Sequence, residues 1–476
     1  MGKKYIVGVD GGSQSTKVLI FDLEGNIVCQ ATQSLRAPVS RQEGYVEHPD
    51  DDLWDSLVIA GNQAMEKFAG NPSDILGLGL CTIRCCRAFL KEDGSLNEPV
   101  MSWMDIRSYK PFQLGSGTKY ATTTTGYMTH RLTGNFCDTF SNNIYKQWPI
   151  DPEIWDWSED PQKYIDFNIS RENLFKLQMP GTILGYLTGD AARATGFPAG
   201  IPVVATANDK AVEALGTGIM GSDIGLVSLG TYIPTMVSGS RFVKTAQHYY
   251  TNLGCVPHQY IYESSGIRRG MWTVSWLRDL LGDEVKLKAQ ALGISPEQFL
   301  DREAELIPPG SEGLMTVPEW LMPADQAYKK GMMLGFDVRH TRAHMHRSIM
   351  EGIAMTMKTK YQAMCDELGI HPKKIIVSGG GSSGDIFMRI FADVFGIPAM
   401  RNHINGAAGL GAAICVAVAT GVYDSFESAA AKMVKIRDEF EPVPENHVLY
   451  TRLNEEIYQH ITSHTDEIFK KSFSIL

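Results

Sequence analysis

Residues 5–22 read YIVGVDGGSQSTKVLIFD. Tyr5 to Asp10 and Thr16 to Asp22 are β-branched, apolar runs, and the glycine pair and hydroxyls between them are turn chemistry, so the stretch predicts a strand, a tight loop and a returning strand. Gly25-Asn26 marks the next turn, before a third strand over Ile27 to Gln33. Next along the chain, Pro49 to Phe68 sets Leu53, Leu57, Ala60 and Met65 at helical spacing behind an acidic first turn, which suits the positive end of a helix dipole. Ile75 to Leu80 reads as a buried strand. Phe89-Leu90, the Asp93-Gly94 turn and Val100 to Trp103 read as a hairpin.

Residues 224–237, IGLVSLGTYIPTMV, repeat the opening pattern: apolar strand, Gly and hydroxyl turn, returning strand. The echo predicts a duplicated α/β chain, two βββαβα halves each opened by a hairpin, with the main boundary near Gly221. Pro202 to Ala207 is a strand that runs into Asn208-Asp209, and a helix over Lys210 to Leu215 closes the first half. The second half continues with a long helix over His340 to Leu368 and a strand over Lys374 to Ser378. Helices over Asp385 to Phe395 and Gly406 to Val418 follow. The resulting partition is 1–220, 221–435 and 436–476, the last containing an amphipathic helix, Asn454 to Phe473, expected to pack back on the first domain.

Composition narrows the function. At 476 residues the chain is too long for one ordinary core, and its 43% hydrophobic content excludes a disordered protein. Forty-four Lys+Arg stand against 54 Asp+Glu, a net charge of −10, and no basic block occurs, which argues against a nucleic-acid partner. An anionic ligand is still open to backbone N–H groups. No run approaches about 18 apolar residues, Met1 to Asp10 lacks a cleavage site, and Gly2 lacks the downstream hydroxyl that myristoylation needs. A soluble, cytoplasmic protein without a membrane partner is expected. The eight cysteines, with Cys85 and Cys86 adjacent, read as free thiols.

Four motifs carry chemistry. In the loop Asp10-Gly11-Gly12-Ser13-Gln14-Ser15-Thr16-Lys17, glycines let N–H groups converge, hydroxyls add donors, and a strand-end carboxylate could orient hydrated Mg²⁺; a plain tight hairpin explains the same residues equally well. It is not a Walker A loop, which ends Gly-Lys-Ser/Thr and opens a helix. Leu229-Gly230-Thr231 gains meaning as the partner hairpin, able to clamp a phosphate chain from the other side. Asp209, at a strand-to-helix junction on the ligand-binding edge of an open sheet, is either a general base or the N-cap of the helix from Lys210. Gly379-Gly380-Gly381-Ser382-Ser383-Gly384-Asp385 holds four glycines in six residues, which permits close approach of a nucleotide. Trp103, Asp105 and Arg107, with Arg84, could line a polyol site. His340, His344 and His346 are poorly spaced for a metal and read as solvated histidines.

Taken in order, Asp10-Gly-Gly-Ser to Lys17, Trp103-x-Asp105-x-Arg107, Arg131-Leu-Thr-Gly134, Asn208-Asp209, Gly230-Thr231, Trp276-Leu-Arg-Asp279, Gly331 to Gly335 with His344 to Glu351, and Gly379 to Gly381 resemble the FGGY carbohydrate kinases over nearly the whole chain. The resemblance implies two actin-like (ribonuclease H-like) ATPase domains with a central cleft where ATP and a sugar or polyol meet. Carried over residue by residue, Asp10 serves the metal, and Gly12, Ser13, Thr16, Lys17, Gly230, Thr231, Gly266, Gly380, Gly381 and Asp385 serve the nucleotide. Asp209 is the catalytic base, and Arg84, Trp103, Asp105 and Asn208 face the sugar. ATP and Mg²⁺ are the implied cofactors, and a homodimer is common in the family.

Thr82-Ile83-Arg84-Cys85 departs from the Gln-Met-His of xylulokinase-like members and from the Arg-Glu of glycerol and autoinducer-2 kinases. The segment between Arg107 and Arg131 is short by about a helix. The competing reading is a non-catalytic or chaperone-like ATP-binding switch on the same actin-like scaffold, which would need no sugar wall.

Overall fold

The opening stretch forms the predicted hairpin: β1 (Tyr5–Gly11) pairs antiparallel with β2 (Ser15–Asp22), Asp10 opposite Lys17 and Gly11 opposite Thr16. This computed structural model describes residues 3–476; Met1 and Gly2, and with Gly2 the myristoylation reading, lie outside the described residues. After β3 (Ile27–Ser34) the helix α1 (Asp52–Lys67) covers the sheet, then come β4 (Ile75–Thr82), β5 (Ile183–Tyr186), β6 (Pro202–Asn208) and α2 (Asp209–Thr217). The six strands lie in the order β5-β6-β4-β1-β2-β3, with β4 parallel to both β1 and β6.

The second half repeats the plan. Its strands are β7 (Ile224–Ser228), β8 (Thr235–Gly239), β9 (Tyr249–Leu253), β10 (Tyr260–Ser264), β11 (Lys374–Ser378), β12 (Ala399–Asn402) and β13 (Ile436–Phe440). They lie in the order β9-β10-β8-β7-β11-β12-β13, so β12-β11-β7-β8-β10 matches β6-β4-β1-β2-β3 strand for strand, and each half ends on an antiparallel edge strand. The returning strand β8 begins at Thr235, three residues later than its pattern suggests, because Leu229 to Pro234 form the loop.

Helices α3 (Arg342–Leu368), α4 (Asp385–Phe395) and α5 (Ala407–Ala419) complete the second half. Its α5 nevertheless lies against the first sheet: a side chain at Gly8 would strike the Gly409 carbonyl at 2.1 Å, and one at Gly79 the Ala412 carbonyl at 2.3 Å. Between the sheets α5 crosses α2 at Gly216 and Gly411, and a shared core joins Ile6, Leu19 and Val204 of one sheet to Leu226, Ile376 and Met400 of the other. The sequence partition at 220/221 follows the chain, while this central layer belongs to both halves.

The C-terminal helices α6 (Pro444–Leu453) and α7 (Gln459–Ile475) overturn one expectation, because they pack on the second half rather than the first. Buried Tyr450 donates to Glu351 of α3 at 2.6 Å, and Tyr458 donates to the carbonyls of Thr316 and Gly352 at 2.8 and 3.0 Å. The apolar face of an amphipathic helix asks for cover, and here α3 and α4 supply it. The short Arg107–Arg131 link is also packed: Phe112 is fully buried, with the Arg87 guanidinium 3.9 Å from its ring centre.

No helix among the described residues is long and apolar enough to cross a membrane. The cysteines are free. His344 and His346 are buried rather than solvated, hydrogen-bonded to Glu312 and Asp301.

Candidate active site

Strand register brings the acidic groups together. Gly11 and Asn208 both pair with Thr82, so the C-terminal ends of β1, β4 and β6 stand side by side, and Asp10, Arg84 and Asp209 emerge on one edge. This is where ligands meet open α/β sheets.

The two readings of Asp209 separate cleanly. Asn208 is the N-cap of α2, its Oδ1 accepting from the N–H groups of Lys210 and Ala211 at 3.2 and 3.1 Å, a cap worth about 1 kcal/mol. Asp209 is thereby free of capping, in the first helical turn where the dipole favours an anion, and its Oδ1 is buried without a hydrogen-bond partner. A buried, unsatisfied carboxylate oxygen is costly unless a ligand or metal meets it.

The neighbouring charges are paired. Lys17 lies 3.8 Å from Asp10, and Lys210 lies 2.9 Å from Glu213, both of them bonded to the Ser228 hydroxyl at the end of β7. Burial raises the Asp10 carboxyl above the ordinary aspartate value, with Lys17 opposing and Asp209 and Glu213 reinforcing. Burial acts against Glu213 too, but Lys210 and hydrogen bonds outweigh it and hold that carboxyl below its usual value. Cys85, at a left-handed φ of 65°, is a thiol that burial pushes up to about 11, so it stays protonated near neutral pH.

The glycines sort by what surrounds them. A Cβ on Gly379 (φ +90°) would meet the Leu229 carbonyl at 2.5 Å and one on Gly266 the Ile233 carbonyl at 2.6 Å, so packing alone demands glycine at both, whereas one on Gly381 would meet the flexible Met271 side chain, its sulfur at 2.7 Å. Gly380 has nothing within 4 Å, and at Gly12 and Gly230 a Cβ would meet its nearest atoms at 3.4 and 3.5 Å. Space at these three glycines would admit the close approach of a phosphate chain or nucleotide. Ser13 and Thr231 are exposed at the loop tips.

Four expected site residues are spent on the frame. Thr16 points to the α1 side, 2.6 Å from the Ser56 hydroxyl. Asp105 is fully buried, accepting from the N–H of Val46 and from the backbone and guanidinium of Arg107. Asn208 combines its cap with a bond to the Ser141 carbonyl and is 1% exposed. Asp385 pairs with Arg401 at 2.9 Å. Trp103 remains 42% exposed.

Sequence reasoning missed Lys210, Glu213 and Glu263. The i,i+3 spacing of Lys210 and Glu213 was the available signal for the first pair. Glu263 left none, because its partner Arg84 is 179 residues away.

The N-terminal domain of the FGGY family of carbohydrate kinases matches residues 5–114 and 114–216, and its C-terminal domain matches 225–420. The chain belongs to the FGGY carbohydrate kinases. An Escherichia coli K12 relative described as an uncharacterized sugar kinase, YgcE, is 48% identical over 477 residues, covering 100% of this chain and 97% of that protein. So nearly gap-free an alignment leaves no room for a missing helix, so the relative shares the short link after Arg107.

In structure the kinase resembles a gluconate kinase from Lactobacillus acidophilus (TM-score 0.83, 18% identity, covering 99% and 100% of the two chains). It also resembles a xylulose kinase from Rhodospirillum rubrum (TM-score 0.81, 21% identity, covering 98% and 100%). At these identities the likeness establishes the fold, two actin-like ATPase domains. The family makes the protein an ATP-dependent carbohydrate kinase.

Mg²⁺ is held in phosphotransfer sites by one or two carboxylates plus phosphate and water oxygens, without a full protein cage. Among the described residues no group of three or more His, Cys, Asp or Glu could hold a metal alone. Asp10, a strand-end carboxylate beside Lys17, fits that partial donor set.

Proposed function

We propose that the kinase transfers the γ-phosphoryl group of ATP to a hydroxyl of a small sugar, ketose or polyol bound at the Arg84 and Trp103 side of the cleft. Asp209 is the general base. The observation that carries this reading is its unpartnered, buried Oδ1 at the sheet edge, freed from capping by Asn208.

The chemistry is positioning and charge control. Asp209 accepts the acceptor hydroxyl's proton as its oxygen attacks phosphorus in line. Gly12, Ser13 and Lys17 from one hairpin, with Gly230 and Thr231 from the other, hold the phosphate chain, and Gly380 lies on the nucleotide side. Asp10 would hold Mg²⁺, which when bound would supply charge neutralisation for the phosphates. Closure of the halves about α2 and α5 keeps out water, which competes as a nucleophile.

The test is an ATP-dependent phosphorylation screen over ketoses, polyols and sugar acids, read as acceptor-stimulated ADP release with detection of the phosphorylated product. At least one acceptor should stimulate release well above the basal ATPase. If none does while ATP still binds, the switch on an actin-like scaffold becomes the better account.

A further inference from the structure

Arg84 reaches across the cleft from the end of β4, and its Nη1 and Nη2 donate to both oxygens of Glu263 on β10, each at 2.7 Å. Glu263 is 1% exposed, next to last in a strand flanked on both sides, and its Oε2 also accepts from Asn252 at 2.8 Å. A lone acid in such a position is expensive to bury, and an apolar pair would serve stability as well or better. Something other than stability is the more economical reason for it.

The surrounding charges suggest what that is. At the cleft floor Lys17 is matched by Asp10, Lys210 by Glu213 and Arg84 by Glu263, and Asp209 is left over as an uncompensated carboxylate. Without Glu263, Arg84 would be a free, planar donor pair suited to gripping a carboxylate. With it, only the remaining guanidinium N–H groups are available, and these suit neutral hydroxyl oxygens.

We propose that Glu263 determines acceptor specificity: by neutralising Arg84 from the opposite half it makes the acceptor site select neutral sugars and polyols and reject sugar acids. The inference rests on the acceptor binding beside Arg84, as in the function proposed above. A sugar carboxylate entering there would meet Asp209 with no free cation to balance it, a repulsion that works as discrimination against the wrong substrate.

The test compares the best neutral acceptor from the screen with the aldonate of equal carbon number, in wild type, Glu263→Gln and the double variant Arg84→Gln/Glu263→Gln. Wild type should favour the neutral compound at least about ten-fold in kcat/KM, as expected for a like-charge contact near the surface of a cleft. Glu263→Gln should raise the aldonate-to-neutral ratio about ten-fold, through KM for the aldonate, and the double variant should restore it. A wild type that prefers the aldonate, or a folded Glu263→Gln that loses activity on both acceptors with the ratio unmoved, overturns the proposal.

Should Glu263→Gln not fold, Arg84→Gln replaces it: its aldonate inhibition constant must rise against wild type, and an unchanged constant also overturns the idea. Calorimetric binding of the two compounds separates this failure from that of the kinase reading. A wild type that phosphorylates nothing yet binds the neutral compound over the aldonate supports the charge selection while defeating the catalytic assignment.

Discussion

The two halves of the kinase share a strand order and differ in what they place at equivalent strand ends. In the first, β1 ends in Asp10-Gly11 and β6 in Asn208, with Asp209 next; in the second, β7 and β12 end in Ser228 and Asn402. Carboxylates stand at these strand ends of the first half, and a hydroxyl and an amide stand at those of the second, whose Glu263 is paired with Arg84. The shared strand order gives both halves one frame, and the unpaired carboxylate oxygen, Asp209 Oδ1, belongs to the first half. The two sets of strand ends can then approach without burying two like-charged walls against each other.

Moving acid function out of the first half should have the largest effect. Asp209→Asn preserves shape and the Asn208 cap, so folding and ATP binding are expected within a few-fold of wild type. Turnover should fall by about 10³, within the usual range for loss of a general base. Stopped-flow or steady-state phosphorylation together with calorimetric ATP binding measures both, and near-normal turnover would remove Asp209 from the mechanism.

The C-terminal helices make a second contrast, since they serve only the second half. Glu351, 2% exposed, accepts from Gly310, Ser311, Arg347 and Tyr450, tying α6 to α3. Glu351→Ala leaves Arg347 buried without its partner and should cost about 3–5 kcal/mol in chemical denaturation. Activity at low temperature should persist, because none of these groups reaches the cleft. A change below about 0.5 kcal/mol would mean that the α6 contact contributes little to the fold.

A smaller effect distinguishes glycines that packing requires from glycines that a ligand requires. Gly379→Ala forces a side chain into a left-handed φ against the Leu229 carbonyl and should destabilise the protein by about 1–3 kcal/mol. Gly380→Ala meets open space; its stability should be unchanged, while the KM for ATP rises about ten-fold if the nucleotide approaches that backbone as closely as the loop permits. An unaltered KM would place the nucleotide elsewhere.

Much of the frame was legible because its signals are local. The β1–β2 hairpin and its echo are buried strands around glycine turns, and Asp209 stands at a visible strand-to-helix junction. Strand parity accounts for the Thr16 contact with Ser56, since Thr16 shares parity with Val18 and Ile20 on the face that α1 covers. The frame bonds of Asp105 and Asn208 were not legible, because polarity in a sequence does not reveal whether a side chain's bonds are already made within the frame. Glu263 was invisible because its meaning comes from a partner on the other half. The C-terminal helix showed an apolar face, but amphipathicity alone does not say which surface covers it.

The smallest expected effect tests the electrostatic balance on the acid wall. Asp10 titrates above the ordinary aspartate value because it is buried, and Lys17, with a smaller effect from Lys210, limits the rise. If ionised Asp10 supports the phosphate and metal site, kcat/KM falls as pH drops through that raised pKa. Lys17→Met removes the opposing charge, so the acid limb should move to higher pH, by less than a full unit because Lys17 is 44% exposed and screened by water. Lys17→Arg should leave the limb near its original position. Folding stability responds with the opposite sign to catalysis. A carboxyl with a raised folded-state pKa favours its protonated form, so stability declines as pH climbs from the unfolded-state value through the folded one, and Lys17→Met deepens that decline at neutral pH. Paired pH profiles of rate and of thermal unfolding read both movements, and an acid limb that stays put or shifts downward would show that a group other than Asp10 governs it.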